Sequence, residues 1–136
     1  MTNDELAKSY LIKSTTRLSI LPAFLEKEAY SDVVREAQEI VELALKGILR
    51  QIGIEPPKWH DVSELILENE GKLPKKVAES TKRLVKISKW LRKERELSFY
   101  GDIDFIPTEE YSINDAKKAI KDAQFVVKQA KMVISV

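Results

Sequence analysis

Between Ser31 and Ile52, the residues Val33, Ala37, Ile40, Val41, Ala44, Leu45 and Ile48 fall on one broad side of a helix. A stripe that wide is not covered by a single neighbour, so the segment must run through a bundle with helices on more than one flank. The rest of the chain keeps the same period, and no stretch shows the alternation of a strand.

Punctuation divides the chain into helices that can surround this one. Thr2-x-x-Glu5 has capping-box form and opens a first helix. In it Leu11, Leu18 and Leu25 recur at intervals of seven, with Ala7, Ser14 and Leu21 alongside. Pro22 lies inside that pattern and is expected to kink or break it near Ser19–Leu21. Ser31 is the expected N-cap of the second helix and Gly53 its stop. After Pro56-Pro57, Asp61-x-x-Glu64 caps a short third helix to about Glu68, with Val62, Leu65 and Ile66 turned inward. Gly71 ends that turn, and Pro74 suits the first position of a fourth helix over about 75–98. Gly101–Pro107 reads as a loop. Ser112-x-x-Asp115 caps a last helix whose face is Ile113, Ala116, Ile120, Ala123, Val127, Ala130 and Ile134. These elements predict one all-α domain over residues 1–136, an up-and-down antiparallel four-helix bundle with an additional short helix.

Composition removes several chemistries. The absence of cysteine excludes disulfides, zinc-thiolate sites and thiol nucleophiles, and a lone histidine, His60, excludes a multi-histidine metal centre. There is no phosphate-cradling glycine loop, nucleophile elbow or kinase signature, so no cofactor or metal is expected. Asp102 and Asp104 could touch a cation, but loop solubility explains them equally well. No apolar run approaches the ~18 residues that span a membrane. The polar, acidic N-terminus is no secretory signal, so the expected location is cytoplasmic.

One arginine breaks the apolar pattern. Leu84, Ile87 and Leu91 form the stripe of the fourth helix, and at roughly 100° per residue Arg95 falls on it, with Ser98 beside it. A guanidinium keeps its proton, so burying it unpaired is costly. Either a second-helix carboxylate such as Glu39 or Glu42 meets it, or the stripe opens there onto a cleft or a partner subunit. The same helix is strongly basic, with ten Lys and Arg against Glu79 and Glu94 between Lys72 and Arg95. Lys82, Lys86, Lys89 and Lys93 lie opposite the apolar stripe, the ordinary solvated side of a packed helix. Trp90 stands at the edge between the two, where it could stack a base or cover the rim of the core. Tyr100 follows Arg95 by five residues. A phenol there can donate a hydrogen bond but is a poor base at neutral pH. His60 precedes a helix N-terminus, where the end-dipole disfavours an imidazolium.

The stretch Tyr30-x-Asp32-x-x-x-x-Ala37-Gln38-x-x-x-Glu42-Leu43-x-Leu45-Lys46-x-x-Leu49, followed by Gly53 and His60-Asp61-Val62, resembles the HEPN family (higher eukaryotes and prokaryotes nucleotide-binding). Arg95-x-x-x-x-Tyr100-Gly101-Asp102 and the later Asp115-Ala116 resemble the same family, so the likeness runs from about Leu6 to Val133. The resemblance implies an up-and-down bundle that pairs as a homodimer. It also implies one of two callings. Some members are metal-independent ribonucleases, often toxins, in which an arginine, a polar residue and a histidine four to six residues after the arginine meet their dimer mates in a cleft. Others are partners of a minimal nucleotidyltransferase, in toxin–antitoxin pairs or as substrate-binding domains.

Here Arg95 matches the arginine and Glu96 fills the polar position loosely, while Tyr100 stands where the histidine belongs. His60 matches a different feature, the His-Asp start of the short helix. The expected function is therefore a nucleotide- or RNA-binding module with weak catalysis or none. Arg95, Glu96, Ser98, Tyr100, His60 and Trp90 are its candidate contacts, and Arg95 and Tyr100 its candidate catalytic pair. The alternatives are a metal-independent endoribonuclease using Arg95 with Tyr100 or a dimer-delivered His60, and a structural partner of a nucleotidyltransferase.

Overall fold

A computed structural model describes residues 3–58 and 61–134 of the chain. Thr2 of the first capping pair, Trp59 and His60 lie outside the described residues. Every regular element among the described residues is helical; the one bridge, Asp102 with Phe105, is isolated.

Helix α1 (Asn3–Leu18) ends at a turn, and α2 (Leu21–Glu26) restarts with Pro22 in its first turn. A proline there gives up an N–H that would have no helical partner anyway, so the break falls where expected. Helix α3 (Tyr30–Gln51) is the centre of the molecule. Its first bond, Val33 N–H to the Ala29 carbonyl at 3.0 Å, starts it ahead of Ser31. Ser31 is therefore a buried first-turn residue and not the expected N-cap, and no side chain caps this end. At the other end Gly53 adopts φ 85° and Ile54 N–H closes back on the Leu49 carbonyl at 2.9 Å. This is the closure a left-handed glycine permits.

All seven apolar residues that define the broad side of α3 are buried, and α3 packs on α1, on the last helix and on the segment carrying Arg95. Burying even one such leucine or isoleucine is worth ~1.5–3 kcal/mol, so this side holds the bundle together. Asp61 caps α4 (Val62–Glu68), its carboxylate accepting from Ser63 N–H at 3.0 Å.

The fourth helix expected over 75–98 is three pieces: α5 (Lys75–Ala78), α6 (Thr81–Lys93) and α7 (Arg95–Phe99). At Ser80 the N–H reaches only to the Val77 carbonyl and the hydroxyl takes the Lys76 carbonyl, an interruption typical of serine. At Glu94 the N–H is shared between the Trp90 and Leu91 carbonyls, which tightens the turn. A one-turn α8 (Pro107–Glu110) follows the loop. Helix α9 (Ile113–Val133) opens with the expected capping box between Ser112 and Asp115. Ile113 is exposed; the buried face begins one turn later, at Ala116.

Candidate functional site

The helix is interrupted at Glu94, and Arg95 is the first residue of α7. Ser98, seven residues after Leu91, continues the buried stripe, and Arg95 lies off it. The Arg95 side chain lies at the rim, 43% exposed, with its Nη2 3.8 Å from Oε1 of Glu39. Both sequence-level alternatives thus hold in part: a second-helix carboxylate meets the guanidinium, and the stripe opens to solvent there. Glu42, the other carboxylate considered, belongs to Arg92 at 3.2 Å and to the Gln38 amide at 3.4 Å.

Arg35 was not singled out from the sequence, and it organises this corner. Its Nη1 donates to the Arg95 carbonyl at 3.0 Å, and its Nη2 lies 3.3 Å from Oε1 of Glu39. Its guanidinium carbon is 5.4 Å from the centre of the Phe99 ring. The only sequence signal was its spacing of four residues from Glu39, on a helix otherwise read for its apolar side. A second tie comes from Tyr111, whose hydroxyl donates to Glu94 at 2.8 Å and pins the start of α7. Burial, then the hydrogen bond to Glu94 and its charge, push the Tyr111 phenol above its ordinary range.

The other expected contacts divide. The Ser98 hydroxyl donates to the Arg95 carbonyl at 3.3 Å and so braces the turn from inside. Glu96 is exposed, and its carbonyl accepts the Tyr100 N–H at 2.9 Å. Tyr100 follows α7 and is 71% exposed, its ring edge-on to Phe99 at 4.8 Å. Trp90 is directed to α9: its indole N–H donates to Asp122 at 2.9 Å and the Lys118 ammonium lies 4.1 Å over its ring. His60 lies outside the described residues. The structure therefore gathers Arg95 and Ser98 with Arg35 and Glu39, leaves Tyr100 exposed against Phe99, and sends Trp90 elsewhere.

Beyond Tyr100 the chain makes a tight loop that only glycine can start. Gly101 has φ 70°, and a Cβ there would collide with the Phe105 carbonyl and the Pro107 ring. Asp102 and Phe105 exchange backbone hydrogen bonds of 2.9 Å across the loop. Ile103 at its tip is 92% exposed, and Phe99, Tyr100 and Ile106 are exposed with it. The Asp102 carboxylate accepts from Ile103 N–H at 2.8 Å. Among the described residues no group of three or more His, Cys, Asp or Glu side chains is placed to hold a metal.

A second polar cluster lies along the same seam of α3 and α6. Asp61 accepts from the Ser63 hydroxyl at 2.7 Å and the Ser88 hydroxyl at 3.2 Å, and Lys89 lies 3.6 Å from it. Burial pushes this carboxyl up, but the Ser63 and Ser88 hydrogen bonds and the Arg92 charge outweigh it, and it settles below the ordinary carboxylate range. The space enclosed by Gln38, Glu42, Ser88 and Arg92 is too tight for a water, so this part of the seam is closed. On the basic face Lys82, Lys86, Lys89 and Lys93 are exposed as expected, and Lys89 is tied to Glu64 at 2.7 Å. No described helix is long and apolar enough to cross a membrane.

A family model described as HEPN domain matches residues 7–133, nearly the whole chain. No curated protein and no solved structure matches it.

Proposed function

The chain belongs to the HEPN family, and on that premise we propose that it is a cytoplasmic module that binds the phosphate of a nucleotide or of RNA and works as a homodimer. The observation that carries this reading is the position of Arg95: a guanidinium at the rim of the bundle, held by its backbone and only loosely engaged by Glu39. A planar cation whose fork is so little engaged is suited to take an anion from solvent.

The chemistry around it favours binding over turnover. Cleaving RNA through its 2′-hydroxyl needs charge stabilisation and proton transfer together. Arg95 can supply the first, but its companion at the motif position is a phenol. The homodimer is supported by the exposed apolar run Phe99, Tyr100, Ile103 and Ile106 beside Arg95. Exposed apolar side chains this close in sequence suit an interface, and a second copy would bring its own Arg95 to the same seam. The biological context proposed with it is a minimal nucleotidyltransferase partner or a toxin–antitoxin pair.

Arg95→Ala tests the reading: retention of a labelled oligoribonucleotide and of AMP should both be lost while helicity and unfolding temperature are kept. Unchanged binding would refute it. Incubation of the pure protein with RNA in chelator is the companion experiment. Cleavage that disappears in Arg95→Ala would replace this reading with a metal-independent nuclease.

A further inference from the structure

Three carboxylates of α3 meet arginines, and they are not served alike. Glu36 has Arg17 at 2.6 Å and Glu42 has Arg92 at 3.2 Å. Glu39 is shared: the Nη2 atoms of Arg35 and Arg95 approach the same oxygen, Oε1, at 3.3 and 3.8 Å. A well-formed guanidinium–carboxylate contact is ~2.7–2.9 Å and commonly pairs two N–H groups with two oxygens. Here two forks converge on one oxygen and neither closes on it.

Arg95 is underfilled in a second respect. Its Nε is buried and has no acceptor. Nε and Nη2 form the side-on edge of the guanidinium, so the edge made for two parallel bonds carries one long contact. Arg35 does not depend on Glu39 for its place, because the Arg95 carbonyl and the Phe99 ring hold it. If the Glu39 carboxylate swings out, Arg35 stays in place, the incoming anion takes the position between the two guanidiniums, and the carboxylate, already 29% exposed, turns into water. No buried charge is stranded by the exchange.

We propose that Arg35 and Arg95 are two halves of one phosphate site and that Glu39, between them, is an internal competitor which an incoming phosphate displaces. The inference rests on the reading of Arg95 as an anion grip and deepens it by a second guanidinium and a built-in threshold. A phosphate offers more acceptor oxygens than a carboxylate and can bridge two forks at once. Glu39 lowers the affinity for every anion, and weak anions then fail to compete, so the site gains selectivity at the expense of tightness. The shared chemistry is a phosphate oxyanion, either terminal, as in a nucleotide, or a diester of an RNA backbone.

The experiment uses the full chain and two probes, AMP and a labelled single-stranded oligoribonucleotide lacking terminal phosphates. Affinities are measured for the parent, Glu39→Gln, Glu39→Ala, Arg35→Ala, Arg35→Lys and Arg95→Ala, with thermal unfolding as the folding control. Glu39→Gln should tighten at least one probe roughly tenfold, since removing the competing charge frees both forks. Arg35→Ala should weaken the same probe by roughly tenfold or more, and Arg35→Lys should recover only part of the loss because an ammonium cannot present a fork. The probe that responds identifies which phosphate is taken. If Glu39→Gln and Glu39→Ala fold and bind no more tightly than the parent while Arg95→Ala still abolishes binding, the competitor is refuted and the binding module stands. If no protein in the series binds either probe, both fall.

Discussion

Asp61 and Arg95 are charged groups set against the same bundle, and they are treated in opposite ways. Asp61 is well provided with partners: two serine hydroxyls and a backbone N–H on one oxygen and the Lys89 ammonium 3.6 Å from the other. It joins the start of α4 to α6 through the Ser88 hydroxyl and the Lys89 ammonium. Arg95 has one contact at 3.8 Å, a buried Nε with no acceptor, and a side chain open to solvent. Saturated valence marks a joint of the scaffold, whereas unsaturated valence at a rim leaves donors free for the proposed anion.

The contrast can be broken by substitution, and the largest effect on stability should come from the saturated group. Asp61→Ala removes a helix cap and strands the Ser63 and Ser88 donors, so it should cost about 2 kcal/mol in denaturant unfolding, with little effect on ligand affinity. Arg95→Ala should do the reverse, costing less than ~1 kcal/mol of stability because its ion pair is long and exposed. If Arg95→Ala unfolds the protein more than Asp61→Ala does, the comparison is wrong.

Acid sharpens the same point. The Asp61 carboxyl is depressed on folding, so the stability it contributes is fully present above about pH 5 and fades as pH falls through the ordinary carboxylate range towards its lowered folded value. Asp61→Asn should therefore flatten the loss of stability between about pH 5 and pH 3 relative to the parent.

Tyr111→Phe should cost ~1 kcal/mol by leaving Glu94 without its hydroxyl donor, and it should loosen α7 enough to weaken binding through Arg95. Because the phenol is raised on folding, its contribution is complete below its ordinary value of ~10 and is lost as pH rises through the folded value. The parent should thus weaken in alkali in a way Tyr111→Phe does not. The smallest effect on the fold should come from Ile103→Asp, at a loop tip 92% exposed: unfolding temperature unchanged, and solution mass moved from dimer towards monomer. A monomeric parent would end the homodimer proposal.

Much of the scaffold could be read in advance, for local reasons. The broad side of α3, the break at Pro22, the glycine stop at Gly53 and the Ser112–Asp115 cap each depend on residues within a turn or two of one another. Helical phase put Arg95 on the apolar stripe, and the structure places it at the rim instead. What failed had longer reach or competing local chemistry. Ser31 lost its cap role because α3 starts two residues early, with Ala29 in the cap position. The fourth helix was read as continuous because its apolar stripe is continuous, and nothing in that stripe signals the shared N–H at Glu94. Trp90 was grouped with Arg95 by proximity in sequence, yet its partners, Asp122 and Lys118, come from α9.

By itself the sequence determined that this chain is a helical bundle around one thoroughly apolar helix, and that an arginine interrupts its pattern near residue 95, because periodicity and capping are properties of neighbours along the chain. The tertiary structure alone decided what that arginine meets. Arg35 and Glu39 reach it from α3, and Tyr111 holds Glu94, the residue before it. Which carboxylate two guanidiniums must share depends on how helices cross, and that is fixed by packing of the whole molecule and by no local run of residues.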